Sequence, residues 1–167
     1  MGRFHIFPWR EEEASLGGLR VLRPTVDVLL TYDSFGIATK ALIDTGSPRT
    51  ILPRGVGDAL GIDFPRSTDP NLRHHYLMGR RWPAITVLVL LELPPFSELS
   101  WEAEVDFVLE EDLPFGLLGF EGFLNRWAVS FNGYHSYFVV EPVEAFEERI
   151  PPDPFEEFQR RWPDSYQ

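Results

Sequence analysis

Apolar and polar side chains alternate along much of this chain, and the alternation predicts strands joined by turns. Val26, Val28 and Leu30 recur at every second position of Thr25–Tyr32, the pattern of a half-buried strand. Ile37–Ile43 returns after Asp33-Ser34-Phe35-Gly36, so the two runs predict a β-hairpin. Thr50–Pro53 resumes an apolar strand. Trp101, Ala103, Val105 and Phe107 alternate with Glu102, Glu104 and Asp106, the cleanest period of two in the chain, with the acidic side expected to face solvent. Ala128–Phe131 and Ser136–Val140 flank Asn132-Gly133, a strong hairpin signal. Helical signals are short: one turn around Gly57–Leu60 and a short helix over Glu121–Trp127.

Composition narrows the picture. A chain of 167 residues is long enough for one domain with its own core. With 14 phenylalanines and 15 prolines, short strands and many turns are expected rather than long helices. Cysteine is absent, so disulfides and thiolate metal sites are excluded. The 26 acidic residues outnumber the 15 basic ones, giving a net charge of -11 that repels nucleic acid and anionic lipid. Met1–Arg10 lacks the apolar centre of a signal peptide, and the longest apolar run, Ala84–Leu91, is too short to span a bilayer. A soluble cytoplasmic protein without nucleic-acid or membrane partners is the expectation. His74 and His75 are neighbours, so on a strand they point to opposite faces and cannot chelate together. His5 and His135 stand alone, and neither a metal nor another cofactor is expected.

One apolar run ends on chemistry. Ala41-Leu42-Ile43 stops at Asp44-Thr45-Gly46-Ser47, a carboxylate at the end of a buried strand followed by a hydroxyl, a glycine and a second hydroxyl. Burying a carboxylate is costly unless it is hydrogen-bonded or neutralised. The plain reading is a strand-end turn, for Asp, Gly and Ser are ordinary turn residues. Downstream, Phe115-Gly116-Leu117-Leu118-Gly119 is a second apolar run ending in glycine, followed by Phe123-Leu124. Hairpin, apolar-apolar-Asp-Thr-Gly-Ser and Leu-Leu-Gly occur in an order that resembles the retropepsin-like (retroviral-type) aspartic proteases, in the form of a bacterial-type single-domain member. The resemblance covers Pro24–Pro142, leaving residues 1–23 as an N-terminal arm and 143–167 as an acidic, aromatic tail.

That resemblance implies an all-β fold: a small closed β-barrel with one short C-terminal helix. It also implies peptide hydrolysis by an activated water. One carboxylate cannot act as base and acid in the same step, whereas two sharing a proton can. Two carboxyls in contact cannot both ionise, so their protons leave in separate, coupled steps. Asp27, Asp33, Asp63, Asp69, Asp106 and Asp112 all lack a following Thr-Gly, so the second acid would be Asp44 of a second copy across a two-fold axis. The expected protein is therefore a homodimeric aspartic endopeptidase acting on an extended peptide or protein.

In those terms Asp44, Thr45 and Gly46 are the catalytic loop. Asp44 is acid and base, Thr45 ties the loops of two subunits together, and Gly46 admits close approach of substrate. Ser47 would hydrogen-bond the carboxylate beside substrate, and Leu117-Leu118-Gly119 would pack beneath the loop. Family members carry a flap over substrate, here expected in Leu72–Leu91, with Tyr76-Leu77-Met78 and Ala84–Leu91 as arms. Gly79, Arg80, Arg81 and Trp82 lie between the arms, either as substrate-binding residues or as a solvated turn. Where the family has an acid after its Asp-Thr-Gly and an arginine after its late glycine, this chain has Pro48-Arg49 and Phe120-Glu121. Either the charges have swapped, Arg49 facing Glu121, or the pairing is absent. The rival to the enzyme is a catalytically inactive module of the same fold that binds peptides or dimerises. The arm would cover the core or a partner subunit, or else be a loose tail. Phe155, Phe158 and Trp162 sit at helical spacing in the tail, which would be one amphipathic helix or a partly disordered acidic segment.

Overall fold

The computed structural model describes residues 4–13, 20–77, 79–110, 113–149 and 160–161. Strands dominate: β1 (His5–Pro8), β2 (Arg10–Glu13), β3 (Arg20–Arg23), β4 (Thr25–Tyr32), β5 (Phe35–Ile43) and β6 (Ile51–Leu52) precede a short helix, α1 (Arg54–Ala59). After it come β7 (Arg73–Leu77), β8 (Arg80–Leu93), β9 (Phe96–Val108), β10 (Gly116–Leu118), β11 (Trp127–Asn132), β12 (Tyr137–Pro142) and α2 (Val143–Glu147). The main sheet runs β4-β5-β10-β6-β9-β8-β7, and a further pairing of β4 with β8 closes six of these strands into a barrel. Closure removes the open edges of those six, and β7 is left outside as an appended strand.

The barrel is filled as its alternation requires. Val26, Val28 and Leu30 from β4, Ala41 and Ile43 from β5, and Trp101, Val105 and Phe107 from β9 share one buried cluster with Phe123, Phe138 and Val140. A second cluster holds Ile51, Trp82, Ala84, Val108, Leu113 and Leu117, with Leu42 and Leu77 packed against it. The pleat of β5 thus turns Ala41 and Ile43 to one cluster and Leu42 to the other.

Outside the barrel, β1-β12-β11 form a three-stranded sheet and β2-β3 a ribbon. Part of the N-terminal arm is therefore paired: His5–Pro8 lies antiparallel to Tyr137–Val140, and Phe7 stacks on Phe138 with ring centroids 5.3 Å apart. Arg10 then reaches Asp27 of β4 with two parallel bonds of 2.7 Å. The helix expected from Phe155 to Trp162 falls outside the described residues except at Arg160 and Arg161.

Two local expectations are corrected. Glu121–Trp127 is a series of turns rather than a helix: Gly122 takes φ 92°, and Leu124 and Asn125 donate to Gly119 and Phe120, five residues back. The short C-terminal helix is α2 instead. The hairpin expected around Asn132-Gly133 is present: β11 pairs with β12, residues 133–136 form the turn, and Asn132 Oδ1 accepts the His135 N–H at 3.0 Å. Arg80–Pro83 belongs to β8 rather than to a hairpin tip, since pairing with β7 runs through Leu77 and Arg80 and leaves Gly79, at φ 75°, in the turn. No helix among the described residues is long and apolar enough to cross a membrane.

Candidate active site

Two parallel strands assemble the site. β10 runs beside β5 with Leu118 opposite Ile43, so the chain leaves both at the same level, at Gly119 and at Asp44. Asp44 N–H donates to Leu118 O at 3.0 Å. Beyond that point the two loops are zipped together: Phe120 N–H donates to Ser47 O (2.9 Å), Glu121 N–H to Pro48 O (3.0 Å) and Thr50 N–H to Glu121 O (2.8 Å). Only glycine permits this approach at position 119, where a Cβ would stand 2.2 Å from Arg49 O and 2.7 Å from Ser47 O. Leu118 sits in the barrel core and Leu117 in the second cluster.

Within the loop, Asp44 is half-buried and accepts one hydrogen bond, from Gly46 N–H to Oδ1 at 2.9 Å. The backbone turns tightly there, with Ser47 N–H on Asp44 O at 3.2 Å. Thr45 and Gly46 are exposed, and the Thr45 hydroxyl has no partner among the described residues. Ser47 differs from expectation. Its side chain is buried and its hydroxyl donates to Arg49 O at 2.7 Å, so it braces the turn from below and leaves the carboxylate to the backbone of Gly46. A hydroxyl on the inner side of a turn satisfies the nearest orphan carbonyl.

The residues named at the hairpin separate into two kinds. Trp82 is 1% exposed, packed in the second cluster with its indole N–H on Leu77 O at 3.0 Å. It anchors the hairpin to β10 rather than presenting a surface, because β8 pleats it inward opposite His75. Arg80 lies over the Trp82 ring at 4.2 Å and pairs with Glu110. Gly79 and Arg81 are exposed.

Sequence reasoning missed the most tightly held group near the site. Asp106, on the side of β9 expected to meet solvent, is wholly buried. Its Oδ2 accepts from Arg49 Nε at 2.7 Å and lies 2.8 Å from His75 Nε2, and its Oδ1 accepts from Thr86 Oγ1 at 2.6 Å. Burial alone would push this carboxyl's pKa up. Hydrogen bonds from His75, Thr86 and Arg49, together with the Arg49 charge, outweigh that and hold it below the ordinary value. An ionised carboxylate only accepts, so His75 carries its proton on Nε2. Arg49 also pairs with Glu121, the swapped arrangement of the two expected. One buried acid thus ties three pieces together: the loop after Asp44 through Arg49, the hairpin through His75, and β8 through Thr86. As the sequence implied, His74 and His75 face opposite ways, one exposed and one buried. In the sequence Asp106 is the third acid of an alternating acidic face, after Glu102 and Glu104, and reads the same as a solvated strand position.

No family model matches the chain, and no curated protein matches it. Among solved structures, the chain is similar to a retropepsin-like aspartic protease from Rickettsia conorii, with a TM-score of 0.52 and 15% identity. The match covers 82% of this chain and 98% of that one. The chain therefore has the retropepsin-like all-β fold. At this identity the likeness is one of fold.

Proposed function

We propose that this chain is an aspartic endopeptidase that works as a homodimer, with two Asp44 carboxyls activating one water between them. The observation that carries the reading is the placement of Asp44. It ends β5 in an Asp-Thr-Gly-Ser turn, beside the loop after Leu117-Leu118-Gly119, on a retropepsin-like barrel. One Asp44 takes a proton from water as its oxygen attacks the peptide carbonyl, and the other gives a proton to the carbonyl oxygen. Collapse of the tetrahedral intermediate breaks the C–N bond, with a proton passing to the departing amine. Thr45, exposed beside Asp44, is positioned to meet its counterpart in a second copy. Gly46 leaves room for substrate backbone, and Gly79 and Arg81 form the exposed part of the hairpin over it.

The test is cleavage of a denatured-peptide library. Asp44→Asn is expected to lower kcat/KM by about 10²–10⁴-fold or more, and wild-type specific activity is expected to fall on dilution as dimers dissociate. Equal cleavage by the variant would overturn the reading. A second reading, a peptide-binding module without turnover, draws on Trp82: a hairpin pinned by a buried indole opens less readily than a glycine-rich one. Peptide binding by the wild type with no cleavage would favour it.

A further inference from the structure

Beside the Asp44 loop lies a cavity of about 430 Å³ lined by Pro48, Arg49, Arg73, His74, His75 and Glu121. It joins the loop that follows Asp44 to β7. In a chain with 26 acidic residues, the stretch from Pro70 to Leu91 has none, and it carries Arg73, His74, His75, Arg80 and Arg81. The charged groups facing the cavity divide cleanly. Arg49 is engaged on both sides, by Asp106 and by Glu121, and His75 is engaged by Asp106. Asp106 is wholly buried behind them and saturated with hydrogen bonds. Arg73 and His74 are exposed and have no ion-pair partner among the described residues.

Distance puts this wall within reach of a bound peptide. Pro48 is four residues past Asp44, and four residues span at most about 14 Å, the length of about four residues of extended peptide. β7 is also the last strand of its sheet, so one edge of Arg73–Leu77 pairs with no strand among the described residues. Backbone groups on such an edge can take an added extended strand.

We propose that the cavity is a side-chain subsite selecting Glu or Asp about two to four residues from the cleaved bond, with Arg73 as the principal contact. The inference rests on the protease reading and names its substrate class, an extended peptide with an acidic residue on one flank. A guanidinium fork matches a carboxylate with two parallel bonds, and Arg73 has a fork to offer. Lysine at the same peptide position would find no carboxylate that is not already engaged. The hairpin tip is the weaker candidate for this role: Arg80 is committed to Trp82 and Glu110, and Arg81 pairs across the strands with the exposed Tyr76, on the face away from Trp82.

The experiment uses the full chain and paired peptides that differ only by Glu or Gln at each flanking position. At one position Glu is expected to be cleaved about tenfold faster than Gln, a ratio that Arg73→Ala brings to about one and Arg73→Glu brings below one. Binding of the same peptides to Asp44→Asn, followed by fluorescence polarisation, is expected to show the same Glu-over-Gln order and the same loss with Arg73→Ala. Equal handling of Glu and Gln at every position, or a ratio abolished by Arg81→Ala but not by Arg73→Ala, overturns the subsite and leaves the protease reading standing. If no peptide is cleaved, the protease reading fails by itself, and the binding order then decides the subsite.

Discussion

Asp44, in the loop after β5, and Asp106, on β9, are two carboxylates held in opposite ways. Asp106 is buried completely and its two oxygens are occupied by Arg49, His75 and Thr86. Asp44 is half-exposed, with one hydrogen bond from Gly46 N–H. A saturated carboxylate is a structural tie, since its charge is fully answered where it stands. A carboxylate with one bond and an open side can accept a water or a second acid. The contrast makes Asp106 a structural tie and leaves Asp44 as the one of the two that is open to further partners.

The largest effect expected on stability is at the tie. Asp106→Ala leaves His75 Nε2 without its hydrogen-bond partner and the inner side of Arg49 without a counter-charge, and chemical denaturation is expected to show a loss of about 3 kcal/mol. A loss below about 1 kcal/mol would mean the network is not the clamp described here. Its pH dependence has a defined sign. The folded pKa of Asp106 is held low, so the unfolded carboxyl, near 3.9, binds protons first. The stability it contributes is complete above about pH 5 and is lost as pH falls through the folded value. Melting curves taken down the acid limb should flatten in Asp106→Asn. Ser47→Ala sits between the extremes: removing the bond to Arg49 O is expected to cost about 1 kcal/mol, and activity should fall with the loosened turn. The smallest effect is at Asp44 itself, where Asn should change stability by less than about 0.5 kcal/mol. A large loss there would make Asp44 a structural residue and erase the distinction.

The same contrast explains what could be read from the sequence. Asp44 was legible because its loop is local: strand, acid, Thr, Gly and Ser follow one another, and Leu-Leu-Gly has its own signature. The barrel strands were legible through their alternation. Asp106 was not, because its partners stand 57, 31 and 20 residues away and only the closed barrel brings them together. Trp82 was misplaced for a related reason: next to Gly79-Arg80-Arg81 it reads as turn, and only the register with His75 turns it inward. At Glu121–Trp127 the apolar spacing suggested a helix, but the zipped loops and Gly122 set the backbone otherwise.

Subunit mixing tests the two-copy site most directly. Wild-type chain is allowed to exchange with increasing amounts of Asp44→Asn at constant total concentration, and peptide cleavage is measured at each ratio. If each working site needs one Asp44 from each of two copies, activity falls as the square of the wild-type fraction. A straight-line fall, with every wild-type chain retaining its activity whatever its neighbour, would contradict the account.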